Sequence, residues 1–231
     1  GQLGTGEVRA GAEPGIITGT LDEPGVIQCS ASAELDGKRI SGLGAAAFDP
    51  EQIVATTPDP DDFDEWWASQ KALLATIPMA AKLEERAGPE GASRVYKVSL
   101  ANVDGRRTYG WLALPDVEGP VPAGITFTAG VGGAGHGTAT SLAQQGFLSM
   151  HIIHHNFDVE IPAEEAAALK AGELATYYRD GADSRDTYYF RHVILGCVRA
   201  IDLLTSRPEW DGEHLVVTGS SQAGGLSLCL A

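Results

Sequence analysis

The apolar and polar positions divide the chain into a turn-rich first part and a longer part in which strand and helix patterns alternate. Over residues 1–57, short β-prone runs at Gly15 to Thr20 and Val26 to Ala31 are separated by turn formers, Asp22-Glu23-Pro24-Gly25 and Asp36-Gly37. That punctuation predicts a small antiparallel β module. Two or three strands bury too little to stand alone. The run Thr56-Thr57-Pro58-Asp59-Pro60-Asp61-Asp62 reads as a linker, because prolines disfavour helix before them and acids suit a first helical turn.

A helix is predicted from about Phe63 to Ile77, ended by Pro78. A hairpin follows, with alternation over Arg94 to Leu100 and Thr108 to Leu114 around an Asp104-Gly105 turn. Next come a strand at Ile125 to Thr128, a helix at Thr138 to Gln145 and a strand at Phe147 to Ile153. The last lacks polar alternation, as when both faces are covered. Helices are predicted over Pro162 to Tyr177 and Asp186 to Ser206, the second with Phe190, Ile194, Cys197, Ile201 and Leu204 as its apolar stripe. The strand His214 to Thr218 and a helix starting near Gly224 complete the pattern. Such alternation predicts an α/β fold with a mostly parallel sheet and flanking helices.

The last strand-to-helix junction carries the chemistry. Gly219-Ser220-Ser221-Gln222-Ala223-Gly224-Gly225 has the layout of a nucleophile elbow, a sharp turn that lifts one serine hydroxyl above the sheet. Strand and helix approach closely there, so small residues are needed two positions before and after the serine. That selects Ser221, between Gly219 and Ala223, over Ser220, between Thr218 and Gln222. The backbone N–H of Gln222 is then a candidate oxyanion donor, joined by an N–H from the loop after the strand ending near Thr128.

Several longer stretches resemble the acetylxylan esterase and cephalosporin C deacetylase family. They are Asp186-Thr187-Tyr188-Tyr189-Phe190-Arg191, Val198-Arg199-Ala200-Ile201-Asp202, Ser206-Arg207-Pro208-Glu209-Trp210-Asp211-Gly212 and the elbow pair Ser221-Gln222. Phe63-Asp64-Glu65-Trp66-Trp67-Ala68 and Asp104-Gly105-Arg106-Arg107-Thr108-Tyr109-Gly110-Trp111-Leu112 resemble the family's first helix and hairpin. The resemblance covers residues 58–231 and implies an α/β-hydrolase that removes acetyl groups through a Ser-His-Asp triad without metal or cofactor. It implies Ser221 as nucleophile, Gln222 as one oxyanion N–H and Val131 as the other. It implies acetylated xylan, xylo-oligosaccharide or another small acetyl ester as substrate. Two departures stand out: Ala129-Gly130 where the family often has His-Gly, and His151 to Asp158 reading HIIHHNFD where the family has Arg-Gly-Gln. Some relatives carry an immunoglobulin-like module ahead of the hydrolase, which implies a partial β-sandwich over residues 1–57.

In this fold the triad runs in the order Ser, acid, His. Residues 222–231 contain neither an acid nor a histidine, and all six histidines precede Ser221. The expectation is a chain that stops before its catalytic Asp and His, unless His154 or His155 substitutes. A non-catalytic hydrolase-like binding protein is the alternative. A second alternative is a dinucleotide site, since Gly130-Val131-Gly132-Gly133-Ala134-Gly135 matches G-x-G-x-x-G between strand and helix. Against it, the next strand ends in His154-His155-Asn156 rather than in an acid.

Composition narrows the partners. A net charge of -15 repels a phosphate backbone, so no nucleic acid is expected. No run approaches the roughly 18 apolar residues of a membrane span. The N-terminus GQLGTGEVRAG lacks the regions of a signal peptide, as a mature secreted or periplasmic protein would. Cys29, Cys197 and Cys229 are too scattered for a disulfide or zinc framework and read as small buried apolar residues. His151, His154 and His155 read as residues at the C-terminal edge of the sheet, with no metal. The segment 154–185 is long for a connection, and part of it is expected to cover the cleft. A homo-oligomer stays open.

Overall fold

The computed structural model describes residues 4–9, 11, 13, 15–90, 92–131 and 134–231, with only the backbone of residues 92 and 93. The chain divides into two compact units, Gly1–Asp61 and Asp62–Ala231.

In the first unit the Asp36-Gly37 turn joins β1 (Gly25–Leu35) to β2 (Lys38–Phe48). Leu35 pairs with Lys38, leaving a two-residue loop in which Asp36 and Gly37 have φ of 51° and 70°. Positive φ at both positions matches the right-handed twist of the strands, the reason Asp-Gly suits such hairpins. Gly15 to Thr20 forms no strand among its described residues. The described part of this unit is therefore a two-stranded ribbon.

The second unit is built on a six-stranded sheet in the order β3-β4-β5-β7-β6-β8. Its strands are β3 (Lys82–Arg86), β4 (Ala92–Ala101), β5 (Arg107–Pro115), β6 (Val121–Phe127), β7 (Leu148–Ile153) and β8 (Trp210–Thr218). The sheet is mixed rather than mostly parallel. β3, β4, β5 and β7 pair antiparallel in turn, and only β6 with β7 and β6 with β8 pair parallel. The pattern hid β3 because its sequence, KLEER, offers one core-facing side chain, Leu83. Its charges join an ion network on the surface instead: Arg86 contacts Glu84 and Glu160 at 3.0 Å, and Lys97 contacts Glu160 at 3.0 Å and Asp158 at 3.2 Å.

Five helices complete the unit: α1 (Phe63–Thr76), α2 (Gly137–Ala143), α3 (Ala163–Ala171), α4 (Tyr189–Thr205) and α5 (Gln222–Leu230). Every residue of β7 is buried. Ser149 Oγ donates to the Ala139 carbonyl of α2 at 2.5 Å, so the odd-numbered face of β7 looks toward α2. Burial of Leu148, Met150 and Ile152 shows that the opposite face is covered as well. The helix predicted to reach Tyr177 ends at Ala171, where Gly172 breaks it, and a short 3-10 turn over Tyr177–Arg179 follows.

α4 buries more than the predicted stripe. Tyr189, Val193, Gly196, Cys197, Ala200 and Leu203 are buried, whereas Phe190, Ile194 and Ile201 are half-buried. On its other side Leu195 packs with Leu74 of α1 and with Val103. A helix sandwiched this way shows no single face to a periodicity argument. Gly196 permits the approach, because a Cβ there would lie 2.3 Å from Thr108 Oγ1 and 2.8 Å from Asn102 Nδ2. Of the cysteines only Cys197 is buried; Cys29 and Cys229 are exposed. Among the described residues no helix is long and apolar enough to cross a membrane.

Candidate active site

Parallel strands deliver their following loops to one rim. Thr126 of β6 pairs with Thr218 of β8, and Phe127 pairs with Ile152 of β7. The segments beginning at Thr128, Gly219 and His154 therefore leave the sheet side by side.

After β8 the chain turns abruptly into α5, with Ser221 as the residue before the helix. Ser221 has φ of 56° and ψ of −128° and is exposed. A side chain held at positive φ stores strain of about 1–3 kcal/mol, which neighbouring structure must enforce. The N–H of Ala223 donates to the Ser220 carbonyl and that of Gly225 to the Ser221 carbonyl, both at 3.1 Å, closing the turn. Gly219 makes it possible: a Cβ there would lie 2.4 Å from the backbone carbonyl of Ala223 and 2.7 Å from its Cβ. Ala223 in place of a second glycine is accommodated, since its methyl is buried in the core.

Gly219→Ala is consequently expected to push helix and strand apart at the turn. Overpacking of this kind costs about 1–3 kcal/mol. We expect a lowered melting temperature as the turn carrying Ser221 is displaced. Unchanged melting would show that the turn does not need glycine.

Gln222 is the first residue of α5, where backbone N–H groups lack intrahelical partners. Its side chain is tied down at both ends. The Tyr177 hydroxyl donates to Oε1, and Nε2 lies 2.8 Å from Nε2 of His154. Nδ1 of His154 lies 3.1 Å from Thr128 Oγ1. Val131 is half-buried and packs against the core in the loop after β6, directly after Gly130 at φ 73°. The neighbouring Gly132 and Gly133 of the glycine-rich run lie outside the described residues. Asp158, the acid nearest beyond β7, contacts Lys97.

Behind His154 lies a buried cluster of rings. His155 sits 4.2 Å from the His154 ring and 4.7 Å from the Tyr177 ring, and its Nδ1 is 2.6 Å from the Tyr189 hydroxyl. His192 lies 4.4 Å from the Tyr189 ring. Burial pushes the imidazoles of His154, His155 and His192 down to about 3, about 4 and about 3, with the neighbouring histidines adding to the effect on His154. All three are neutral at ordinary pH. His214 is exposed and instead pairs with Asp211 at 2.9 Å, which raises its affinity for a proton.

No histidine or carboxylate among the described residues hydrogen bonds to the Ser221 hydroxyl. Both nitrogens of His154 are engaged elsewhere, and His155 meets the Tyr189 hydroxyl through Nδ1 while its buried Nε2 has no hydrogen-bond partner among the described residues. Sequence reasoning missed Tyr177 and Thr128 as partners in this rim. The available signal was the length of segment 154–185, which brings Tyr177 back over Gln222.

Comparison with known proteins follows the same lines. A family model for acetyl xylan esterase matches residues 51–231. The acetyl esterase Axe7A of Xylanibacter ruminicola is 31% identical over 225 residues, covering 94% of this chain and 50% of that protein. An acetyl xylan esterase structure from Paenibacillus sp. R4 superposes with a TM-score of 0.63 at 27% identity, over 75% of this chain and 56% of the other. Acetyl xylan esterase 1 from Thermoanaerobacterium sp. JW/SL YS485 gives a TM-score of 0.63 at 25% identity, over 75% and 55%. The mixed sheet with flanking helices fits an α/β-hydrolase. The chain spans about half the length of the curated relative it matches.

Proposed function

The chain belongs to the acetyl xylan esterase family, and from that premise we propose that it supplies the nucleophile side of a serine esterase site, with Ser221 as nucleophile. The observation that carries the reading is the exposed serine held at φ 56° between a strand and the helix it feeds. A strained strand-to-helix turn is the device that presents a hydroxyl above an α/β-hydrolase sheet.

In the proposed reaction Ser221 Oγ attacks the acetyl carbonyl. The oxyanion that forms accepts hydrogen bonds from the backbone N–H of Gln222 and of Val131, donors fixed before charge develops. Collapse expels the sugar hydroxyl and leaves an acetyl-enzyme. Water then attacks the acyl carbon, releasing acetate and regenerating the serine. Each step needs a group that takes and returns a proton. The proposal assigns that work to an acid and a histidine that are not among residues 222–231, which contain neither. His154 does not serve, because its nitrogens hold Thr128 and Gln222.

The proposed substrates are acetylated xylan and xylo-oligosaccharides, with no metal or cofactor, and the proposed setting is secreted or periplasmic. Residues 1–57 are assigned to a separate β module, of immunoglobulin-like type, and residues 58–231 to the esterase portion. On this reading residues 1–231 alone are expected to release little or no acetate from acetylated xylo-oligosaccharides, and a protein that also carries the acid and the histidine is expected to release it measurably. Binding of the same oligosaccharides without acetate release by the latter protein would favour a non-catalytic carbohydrate-binding role instead.

A further inference from the structure

With the Gln222 amide placed so that Oε1 faces Tyr177, the hydrogen bonds around it run in one direction. The Tyr177 hydroxyl donates to Gln222 Oε1, so the other end of the amide is its NH2 group, which only donates. Nε2 of His154, 2.8 Å away, must then offer a lone pair. Its ring proton accordingly sits on Nδ1 and is donated to Thr128 Oγ1 at 3.1 Å. Tyr177, Gln222, His154 and Thr128 thus form one chain linking the 3-10 turn, the start of α5 and the loops after β7 and β6.

We propose that His154 is a positioning residue of the esterase site, holding the Gln222 side chain so that the backbone N–H of Gln222 stays aimed at the oxyanion. The inference rests on the reading of Ser221 and Gln222 given above. Three observations support it. Gln222 opens α5, so a swing of its side chain would pull on the peptide that carries the oxyanion donor. The imidazole is 5% exposed and packs against His155, so it is a fixed point rather than a mobile one. Burial keeps it neutral, and only the neutral ring can accept from the amide. A protonated ring would direct an N–H at the Gln222 NH2.

The test compares His154→Leu, His154→Gln and Tyr177→Phe with the unaltered protein and with Ser221→Ala, using 4-nitrophenyl acetate and a protein that also carries the acid and the histidine. His154→Leu is expected to lower kcat about tenfold to hundredfold, with KM within about twofold, because only the transition state carries the oxyanion. His154→Gln is expected to recover most of that loss, since its carboxamide oxygen accepts from Gln222. Tyr177→Phe, which removes one hydroxyl from the other end of the chain, is expected to lower kcat several-fold and remains informative if His154→Leu does not fold. Full kcat in both His154→Leu and Tyr177→Phe, with Ser221→Ala inactive, would overturn the inference alone. Activity retained in Ser221→Ala would overturn the serine reading beneath it. A long-range 1H–15N spectrum of the imidazoles gives a readout independent of turnover: the proton of His154 is expected on Nδ1. A proton on Nε2 would overturn the inference.

Discussion

Replacing Ser221 by alanine, in a protein that also carries the acid and the histidine, is expected to lower acetate release at least about a thousandfold, while Ser220→Ala leaves it within about threefold. The two serines are adjacent, both exposed, and differ in backbone setting. Ser221 has φ of 56° and stands between Gly219 and Ala223, the close-packed pair that permits the turn. Ser220 contributes its backbone carbonyl, which accepts from the Ala223 N–H at 3.1 Å, and alanine preserves that bond. On the proposed mechanism, losing the Ser221 hydroxyl removes the acyl-enzyme route altogether, whereas losing the neighbouring hydroxyl removes no step of it. Initial rates of acetate formation for the two variants decide the matter. Equal loss in both would mean that the turn, not the Ser221 hydroxyl, was damaged.

Arg199→Met is expected to destabilise the second unit by about 2–3 kcal/mol, seen as a fall in melting temperature of roughly 4–12 °C for a unit of this size. Arg199 is 5% exposed on α4, and its Nη2 donates to the Leu74 carbonyl at 2.5 Å and the Ile77 carbonyl at 3.0 Å. These carbonyls lie at the C-terminus of α1, where the Leu74 carbonyl also accepts from the Ile77 N–H at 3.0 Å and the helix dipole favours a cation. Methionine keeps much of the stem that packs between the helices, so the loss reports the guanidinium. The estimate is moderate because Nε of Arg199 is itself buried without a partner. Thermal unfolding followed by circular dichroism measures it; a melting temperature unchanged to within a degree would show that packing alone holds α1 to α4.

What could be read from sequence depended on whether a residue's task was local. The β7 strand was visible because both its faces are covered, leaving no polar alternation. The Asp36-Gly37 hairpin was visible because positive φ at two successive positions selects few residue types. Ser221 stood out from Ser220 by the same kind of local constraint, the small residues two positions to either side. β3 was invisible because an edge strand paired on one side can be almost wholly charged, and Glu84 and Arg86 satisfy one another across the surface. The buried face of α4 was misjudged because the helix contacts the sheet on one side and α1 on the other. Tyr177 was missed because its partner, Gln222, lies 45 residues along the chain and no periodicity couples them. The six histidines showed no triad in sequence order, and their places in the structure give the physical counterpart: three are buried and neutral around Tyr177 and Tyr189, and none hydrogen bonds to Ser221 among the described residues.

The most direct measurement is the mass of the protein after reaction with a fluorophosphonate, followed by peptide mapping. A serine activated for attack on an acyl carbonyl forms a stable phosphonyl ester with this reagent. In a protein that also carries the acid and the histidine, the expected result is a single phosphonyl group on the peptide containing Ser221, absent from the Ser221→Ala protein. Modification at another residue, or none in a preparation that is releasing acetate, would contradict the assignment of Ser221.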